Sequence, residues 1–337
     1  MKKLLIGMVV ALLIVGCGLS YDETKRLKQE RRTRELREDS AALKVAVMPT
    51  LDCLPLFVAE EREMFDTVVD IRLKYFTAQM DCDTALQRGR VEMAVSDLVR
   101  AERMKGVRRQ ESGVRSQESG VRRQESGVRR QESGVSRNMT IGYVTATNAY
   151  WLLIANRNQR ITDLKHLDDH MLAMTRYSVT DLLGDLAVDS AKLKTERVFR
   201  IQVNDVNVRL DMLENNEMDA LLLTQPQVTQ ALLMKHHVLL DTRKLDMQMG
   251  VIVEDSVVMS HPNRQRQREV LIKGYNKACD SLNQHGMKHY HDIIRKYYKL
   301  SEQALRQLPD TLKYEHVQAP REKDVARAKQ WLSKVKK

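Results

Sequence analysis

The pattern of hydrophobic and polar positions predicts alternating strands and helices, beginning abruptly at Ala42. Apolar runs at 42–48, 68–76 and 91–97 have the pattern of buried strands, and helical patterns at 55–65 and 82–89 separate them. This order of strand, helix, strand, helix and strand is typical of parallel βαβ units with right-handed crossovers. The first half of the chain therefore predicts a parallel sheet covered by helices.

The same order returns downstream, with strand patterns at 170–176, 197–203 and 218–224 and helical patterns at 179–193 and 206–217. From Gly274 onward the apolar spacing is helical. We therefore predict an α/β fold of two lobes with a helical C-terminal part. The predicted first lobe comprises 42–164 and 240–337, and the predicted second lobe comprises 165–239.

The N-terminus, "MKKLLIGMVVALLIVGCGLS", has two lysines, an apolar stretch and a small residue before Cys17. The apolar stretch from Leu4 to Val15 is shorter than the roughly 20 residues that cross a bilayer. It looks like a lipoprotein signal peptide at 1–16 with a lipobox that leads to lipidation of Cys17. We expect 17–41 to be a lipidated, charge-rich tether and the rest to be extracytoplasmic, anchored to the bacterial cell envelope.

The net charge of +11 does not indicate nucleic-acid binding. Much of the excess lies in a seven-residue repeat at 106–135 and in the basic run 321–337, which leaves the remainder near neutral. Aromatic residues, at 5%, are too few for base-stacking platforms. Each repeat unit has a single Val and a Gly, so it predicts a low-complexity surface-loop insertion rather than a coiled coil.

Three cysteines remain beside Cys17. Cys53 and Cys82 follow strands that we expect to be neighbours, so they either form a disulfide or remain two reduced thiols. Cys279 lies on a helical apolar stripe, and this position predicts that its thiol is buried.

Polar side chains concentrate after the predicted strands, where loops of open α/β sheets bind ligands. Six segments share this position: 48–55, 76–84, 96–100, 176–181, 204–209 and 223–227. Each residue in them is also explained as a helix cap or turn residue. The functional interpretation is favoured because all six segments would face one cleft between the lobes.

The segments "KVAVMPTLDCLPLFVAEEREMFD", "FTAQMDCDTALQRGRVEMAVSD" and "LENNEMDALLLTQPQ", behind a lipobox, resemble the substrate-binding proteins of ABC importers. The resemblance covers roughly 42–299 except the repeat. It is to the two-lobed, periplasmic-binding-protein-like (type II) fold of thiamine-pyrimidine, alkanesulfonate, taurine and nitrate binders. It implies that a hinge closes both lobes around a small molecule, which is then delivered to a permease.

The resemblance implies a set of ligand-binding residues at the strand ends: Thr50, Asp52, Thr77, Gln79, Asp81, Ser96, Asp97, Tyr177, Ser178, Thr180, Asn204 and Gln225. Tyr150 and Trp151 either line the cleft or pack in the core. Because the loops carry many aspartates, we expect a neutral or cationic, nitrogen-containing ligand. Arg100 or Arg176 are the residues that would offset this negative charge.

The expected partners are the small-molecule ligand, an ABC permease with its ATPase, and the membrane through the lipid anchor. We expect a monomer without cofactor, metal or nucleic acid. A ligand-sensing surface lipoprotein is the first alternative, and a pyrimidine-forming enzyme of the same fold is the second. The enzyme is disfavoured because the chain has no Gly-rich phosphate loop or nucleophile elbow. His166 and His170, four residues apart, predict a surface helix rather than a metal site.

Overall fold

A computed structural model describes residues 25–26, 28–33, 41–105 and 140–335. The predicted signal peptide, Cys17, most of the tether and the repeat lie outside the described residues. The chain divides into two units, 1–42 and 43–337. In the first unit, residues 25–26 and 28–33 are helical, and Arg26 Nε donates to Glu30 Oε1 at 2.8 Å.

The first sheet has five strands: β1 (Leu43–Val47), β2 (Ile71–Tyr75), β3 (Met93–Asp97), β4 (Ile141–Ala146) and β10 (Gly250–Asp255). Their order is β2-β1-β3-β10-β4. Strand β1 runs parallel to β2 and β3, whereas β10 is antiparallel to β3 and β4. The three strands predicted in this half are confirmed.

The second sheet repeats this arrangement with β5 (Trp151–Ala155), β6 (His170–Met174), β7 (Val198–Gln202), β8 (Ala220–Thr224) and β9 (His237–Asp241). Its order is β7-β6-β8-β5-β9. Strand β6 is parallel to β7 and β8, and β5 is antiparallel to β8 and β9. We call the two sheets with their helices the first and second lobes.

Helices cover both sheets. In the first lobe α1 (Leu54–Glu61), α2 (Gln79–Gln87) and α3 (Leu98–Met104) follow the parallel strands, and in the second lobe α4 (Val179–Ala191), α5 (Val206–Glu214) and α6 (Gln227–Leu233) do so. The C-terminal helices are α7 (Ser256–Met259), α8 (Pro262–His285), α9 (His291–Tyr297), α10 (Glu302–Arg306) and α11 (Glu322–Val335). Short 3-10 helices occupy Leu51–Cys53, Leu164–Leu167, Thr195–Arg197, Thr242–Leu245 and Met287–Tyr290.

The predicted boundary between 164 and 165 is wrong. Trp151–Ala155 pairs with β8 and β9, so the chain enters the second lobe at Trp151. The error arises because an apolar run shows that a strand exists but not which sheet it joins. The predicted helix around His166 and His170 is also wrong, since His166 lies in a 3-10 helix and His170 begins β6.

Helix α8 packs against α1 in the first lobe. Gly274 permits close contact with the segment that follows α1, because a Cβ at this position would lie 2.5 Å from the Phe65 ring. The thiol of Cys279 is buried on the same helix, as predicted. Within the described part of the chain, no helix combines the length and apolar character needed to cross a membrane.

Candidate ligand-binding site

Three pairs of strand-end loops meet across the cleft between the lobes, and each pair is joined by a backbone N–H. The bonds are Leu51 N to Gln225 O at 2.9 Å, Val206 N to Thr77 O at 3.4 Å, and Val179 N to Asp97 Oδ1 at 3.1 Å. The loops after β1, β2 and β3 thus meet those after β8, β7 and β6. By their places in the two sheets, β1, β2 and β3 are equivalent to β6, β7 and β8. Exchanging the lobes therefore reproduces the same three loop pairs, so the lobes face each other with approximate two-fold symmetry.

These loops line a partly open cavity of about 50 Å³. Seven of the predicted site residues line it: Thr50, Asp52, Gln79, Ser96 and Asp97 from the first lobe, and Ser178 and Thr180 from the second. Trp151 lines it as well, whereas Tyr150 does not. The hydroxyl of Tyr150 instead accepts a bond from Gln225 Nε2, and Arg243 stacks on its ring at 4.3 Å.

The other five predicted residues lie outside the lining of this cavity. Gln225 is buried, and its side chain bonds Thr229 and Tyr150. Thr77 contributes its carbonyl to the closed interface, and Asp81 is exposed on α2. The Tyr177 ring lies 4.6 Å below the Arg103 guanidinium, and Asn204 Oδ1 accepts from Gln202. The structure therefore brings seven of the twelve candidates together at the cavity.

Two buried carboxylates form the first-lobe wall. Asp52 Oδ2 accepts from Thr147 Oγ1 at 3.1 Å, and burial raises the pKa of Asp52. Asp97 caps α3 by accepting from Arg100 N at 3.0 Å, and the same oxygen accepts from Val179 across the cleft. Burial raises the pKa of Asp97 to about 7. This carboxyl therefore changes protonation state near neutral pH.

Neither arginine expected to offset this charge reaches the cavity. Arg100 is 1% exposed and forms an ion pair with Asp83, one layer behind the wall. Arg176 is partly exposed, and its guanidinium lies 3.7 Å from Asp181. Both side chains are therefore engaged with acids of their own lobe.

Hydroxyl groups form the second-lobe wall. Ser178 caps α4 by accepting from Thr180 N at 3.1 Å, and its hydroxyl donates to Thr175 O at 2.7 Å. Thr180 Oγ1 accepts from Thr175 N at 2.9 Å. Ser178 and Thr180 therefore act as helix-cap and turn residues, which was the alternative to a ligand-binding role. They also line the cavity.

Arg209 also lines the cavity, although it lies outside the twelve residues predicted from the sequence. It lies on α5, and only 6% of it is exposed. Its Nη1 donates to Leu222 O at 2.7 Å, and burial lowers its pKa to about 10, so it stays charged at neutral pH. The sequence contained a signal for this role. Positions 206, 209, 210 and 213 form the buried face of this helix, and Arg209 is the charged residue on that otherwise apolar face.

Cys53 and Cys82 are both free and buried, so the disulfide considered from the sequence is not formed. Cys53 Sγ faces its own loop, where it accepts from Met48 N at 3.4 Å and lies 3.5 Å from Thr50 Oγ1. Burial raises the pKa of both thiols. Among the described residues, no three His, Cys, Asp or Glu side chains are grouped so that they could hold a metal ion.

No protein-family model matches the sequence, and no curated protein matches it either. Solved structures do match. The ligand-binding component of an ABC-type import system from Staphylococcus aureus, with zinc bound, is 15% identical over 88% of this chain and 92% of its own, with a TM-score of 0.64. The alkanesulfonate-binding protein from Xanthomonas axonopodis pv. citri, bound to MOPS, is 13% identical over 88% and 92%, with a TM-score of 0.65.

A Candida albicans protein described as having the generic periplasmic binding protein fold is 14% identical over 88% of this chain and 90% of its own, with a TM-score of 0.61. At these identities the similarity defines the fold and not the ligand. Together with the two five-stranded sheets, it shows that this chain has the two-lobed α/β fold of the periplasmic binding proteins.

Proposed function

We propose that this protein is the substrate-binding component of an ABC import system, which captures a small polar molecule between its lobes and delivers it to a permease. The proposal depends on the cavity at the lobe interface, whose polar lining comes from both lobes. A ligand in this place contacts both lobes at once, so its binding energy stabilises the closed form. The similarity to the ligand-binding component of an ABC-type import system supports this assignment.

The connections between the lobes are suited to hinge motion. In the described residues, the sheets are joined by two segments, 147–150 and 242–249. Outside these segments, the lobes touch through the strand-end loops, with the three bonds given above, and through side-chain bonds such as Gln227 Nε2 to Pro49 O and Trp331 Nε1 to Asp185 Oδ2. Rotation about the two segments exposes the cavity and breaks these bonds, which reform when the lobes close on a ligand.

The anchor and the partners belong to the same proposal. Lipidation of Cys17 would hold the binding protein at the outer surface of a membrane, within reach of a permease and its ATPase. A monomer is sufficient for this role, because each chain contributes both walls of its own cavity. The expected neutral or cationic ligand is consistent with Asp52 and Asp97 in the lining, but it takes no account of Arg209.

The test is a thermal-shift screen of the purified protein against vitamins, pyrimidines, amines, amino acids and sulfonates, followed by calorimetry. A ligand at 100 times its Kd should add about 2.7 kcal/mol to the free energy of unfolding. Ser96→Phe, which fills the cavity, should abolish binding, while Ser333→Phe on the exposed face of α11 is the matched control. Absence of any binder, or binding unaffected by Ser96→Phe, would contradict the proposal.

Two further measurements separate this function from its alternatives. Mass spectrometry of a bound ligand after prolonged incubation should show no conversion, whereas an enzyme of this fold would yield product. Loss of ligand uptake in cells that lack the protein indicates a transport component. Retained uptake with a lost transcriptional response would indicate a sensor.

A further inference from the structure

Arg209 is a buried cation that forms no ion pair with a carboxylate among the described residues. Of the five N–H donors of its guanidinium, Nη1 bonds the Leu222 carbonyl, and the buried Nε has no hydrogen-bond partner among the described residues. The charge of Asp205, at the start of the same helix, raises the pKa of Arg209, but the two side chains form no ion pair, and the Asp205 carboxylate caps α5 by accepting from Asn207 and Val208. A buried cation without a carboxylate partner is costly, and such a group is typical of a site that a ligand completes.

A second buried polar atom without a partner lies on the opposite wall. Ser96 lines the same cavity at the end of β3, it is 4% exposed, and its Oγ has no partner among the described residues. A hydroxyl and a guanidinium that converge on one cavity are both hydrogen-bond donors to an acidic group. The cavity therefore contains an unsatisfied donor from each lobe.

The acids Asp52 and Asp97 line the same cavity. One cation and two carboxyl groups line a cavity of about 50 Å³. This lining matches a ligand that has an acidic group at one end and a basic group at the other, rather than a ligand with a single charge. Resting on the proposed function, we infer that the ligand is a small amphoteric molecule, with an acidic group bound by Arg209 and Ser96 and a hydrogen-bond-donating or ammonium group facing Asp52 and Asp97.

The size of the cavity limits the ligand. A volume of about 50 Å³ corresponds to roughly three to five water molecules. A short amphoteric compound fits with the lobes almost fully closed, whereas a longer one requires the three loop pairs to separate. Short ω-amino acids and their singly charged analogues are therefore suitable probes.

Protonation provides an independent readout. Asp97 has a pKa of about 7 because it is buried, and the ionisable groups around it are Arg100 and Asp83 behind the wall, Asp52 on the same wall and Arg209 across the cavity. An ammonium group beside Asp97 favours its carboxylate form and lowers its pKa. Binding of an amphoteric probe near pH 6.5 should therefore release protons, and at pH 9, where the carboxyl is already ionised, this release should disappear.

The experiment compares the affinity of three probe sets for the wild-type protein by calorimetry. Glycine and β-alanine are amphoteric, acetate and propionate carry only the acid, and methylammonium and ethylammonium carry only the base. We expect each amphoteric probe to bind at least tenfold more tightly than either analogue. Titration in two buffers that differ in ionisation enthalpy measures the protons released, and a buffer without probe serves as the control for competition.

Variants assign the two ends of the ligand. Arg209→Gln should lower the affinity for β-alanine by about 30-fold or more and leave ethylammonium binding unchanged. Asp97→Asn keeps an acceptor for Val179 and should abolish most of the proton release. Arg197→Gln removes an exposed arginine that pairs with Asp168 and Asp169, so it is the matched control and should change affinity less than twofold.

Folding of the variant is checked by its Tm. Removal of a buried, unpaired charge should leave the Tm of Arg209→Gln unchanged or higher, whereas a purely structural role of Arg209 would lower it. Equal affinity for amphoteric and singly charged probes, no affinity for any amphoteric probe, or β-alanine binding insensitive to Arg209→Gln would overturn the inference. If the broader screen still finds a ligand that Ser96→Phe excludes, the proposed function stands while this inference falls.

Discussion

The two lobes share one sheet order and differ in the chemistry of their strand ends. Helices α2 and α5 follow equivalent strands, β2 and β7, and their N-termini meet across the cleft through the bridge between Ala78 and Asp205. The fourth residue is Cys82 in α2 and Arg209 in α5, and both are buried. Equivalent positions of one scaffold thus place a neutral thiol in one lobe and a cation in the other, so the scaffold alone does not determine the site.

The lobes also differ in how neighbouring helices are joined. In the first lobe the Asp83–Arg100 ion pair links α2 to α3. In the second lobe a neutral bond from Gln227 Nε2 to Asn207 Oδ1, 3.1 Å, links α6 to α5. The first arrangement depends on both charges being present, whereas the second tolerates the loss of one partner more easily.

Removal of the buried acid should have the largest effect. Asp83→Ala leaves Arg100, 1% exposed, without its partner and should lower the free energy of unfolding by about 3–5 kcal/mol in urea denaturation. Asn207→Ala, at the corresponding junction of the second lobe, should cost about 1 kcal/mol. The double change Asp83→Leu with Arg100→Met should restore most of the loss. Equal costs for the two single variants would contradict the distinction between the junctions.

Core truncation should affect the lobes equally. Leu86 and Leu213 are the eighth residues of α2 and α5, and both are fully buried. Leu86→Ala and Leu213→Ala should each cost about 2–5 kcal/mol, because each loses apolar contacts and leaves a cavity. Calorimetry also shows whether the lobes unfold together. A separate low-temperature transition in only one of the variants would indicate that the lobes unfold independently.

The carboxyl of Asp97 should make stability depend on pH. Its pKa is raised to about 7 in the folded protein from an ordinary value of 3.8, so the folded state binds more protons between these values. Stability should therefore fall as pH rises from about 4 to 7, by up to a few kcal/mol from this group. Urea denaturation at pH 5 and pH 8 should show a smaller difference for Asp97→Asn. An unchanged difference would assign the pH dependence to other groups.

Helix capping should give smaller effects of opposite sign in the two lobes. Asp205 caps α5, whereas Ala78, at the equivalent position of α2, provides no side-chain cap. Asp205→Ala should cost about 1 kcal/mol, and Ala78→Ser should add about 0.5 kcal/mol, since a serine hydroxyl can accept an N–H of the first turn. Urea denaturation measures both stability changes as shifts of the unfolding midpoint. Destabilisation by Ala78→Ser would show that the contact with Asp205 outweighs the cap.

Deletion of the repeat should have the smallest effect. In the second lobe α6 ends at Leu233 and β9 begins at His237, whereas in the first lobe α3 ends at Met104 and β4 begins at Ile141. The added polar sequence has little apolar surface to bury. Removal of Val107 to Gly134 should change the free energy of unfolding by less than about 0.5 kcal/mol and leave ligand affinity unchanged. A larger change in either quantity would show that the insertion packs on the lobes.

Much of the candidate site was predictable, because the carboxyl ends of parallel strands meet at one edge of a sheet. This rule located Asp52, Ser96, Asp97, Ser178 and Thr180. It did not separate them from residues such as Asp81, which occupies a strand-end segment but points to solvent. The face of a helix that is buried depends on packing, which the position after a strand does not specify.

The parallel strands and their crossover helices were predictable from local sequence, since each has its own hydrophobic period. The tertiary structure decided the rest. Trp151–Ala155 and Gly250–Asp255 join their sheets through antiparallel pairing with distant residues, and only that pairing sets the lobe boundary. Tertiary packing also makes the Arg100 side chain pair with Asp83 inside the first lobe, whereas the Arg209 side chain lines the cavity. The fate of a buried charge depends on the partner that the fold brings near it, and local sequence does not contain that information.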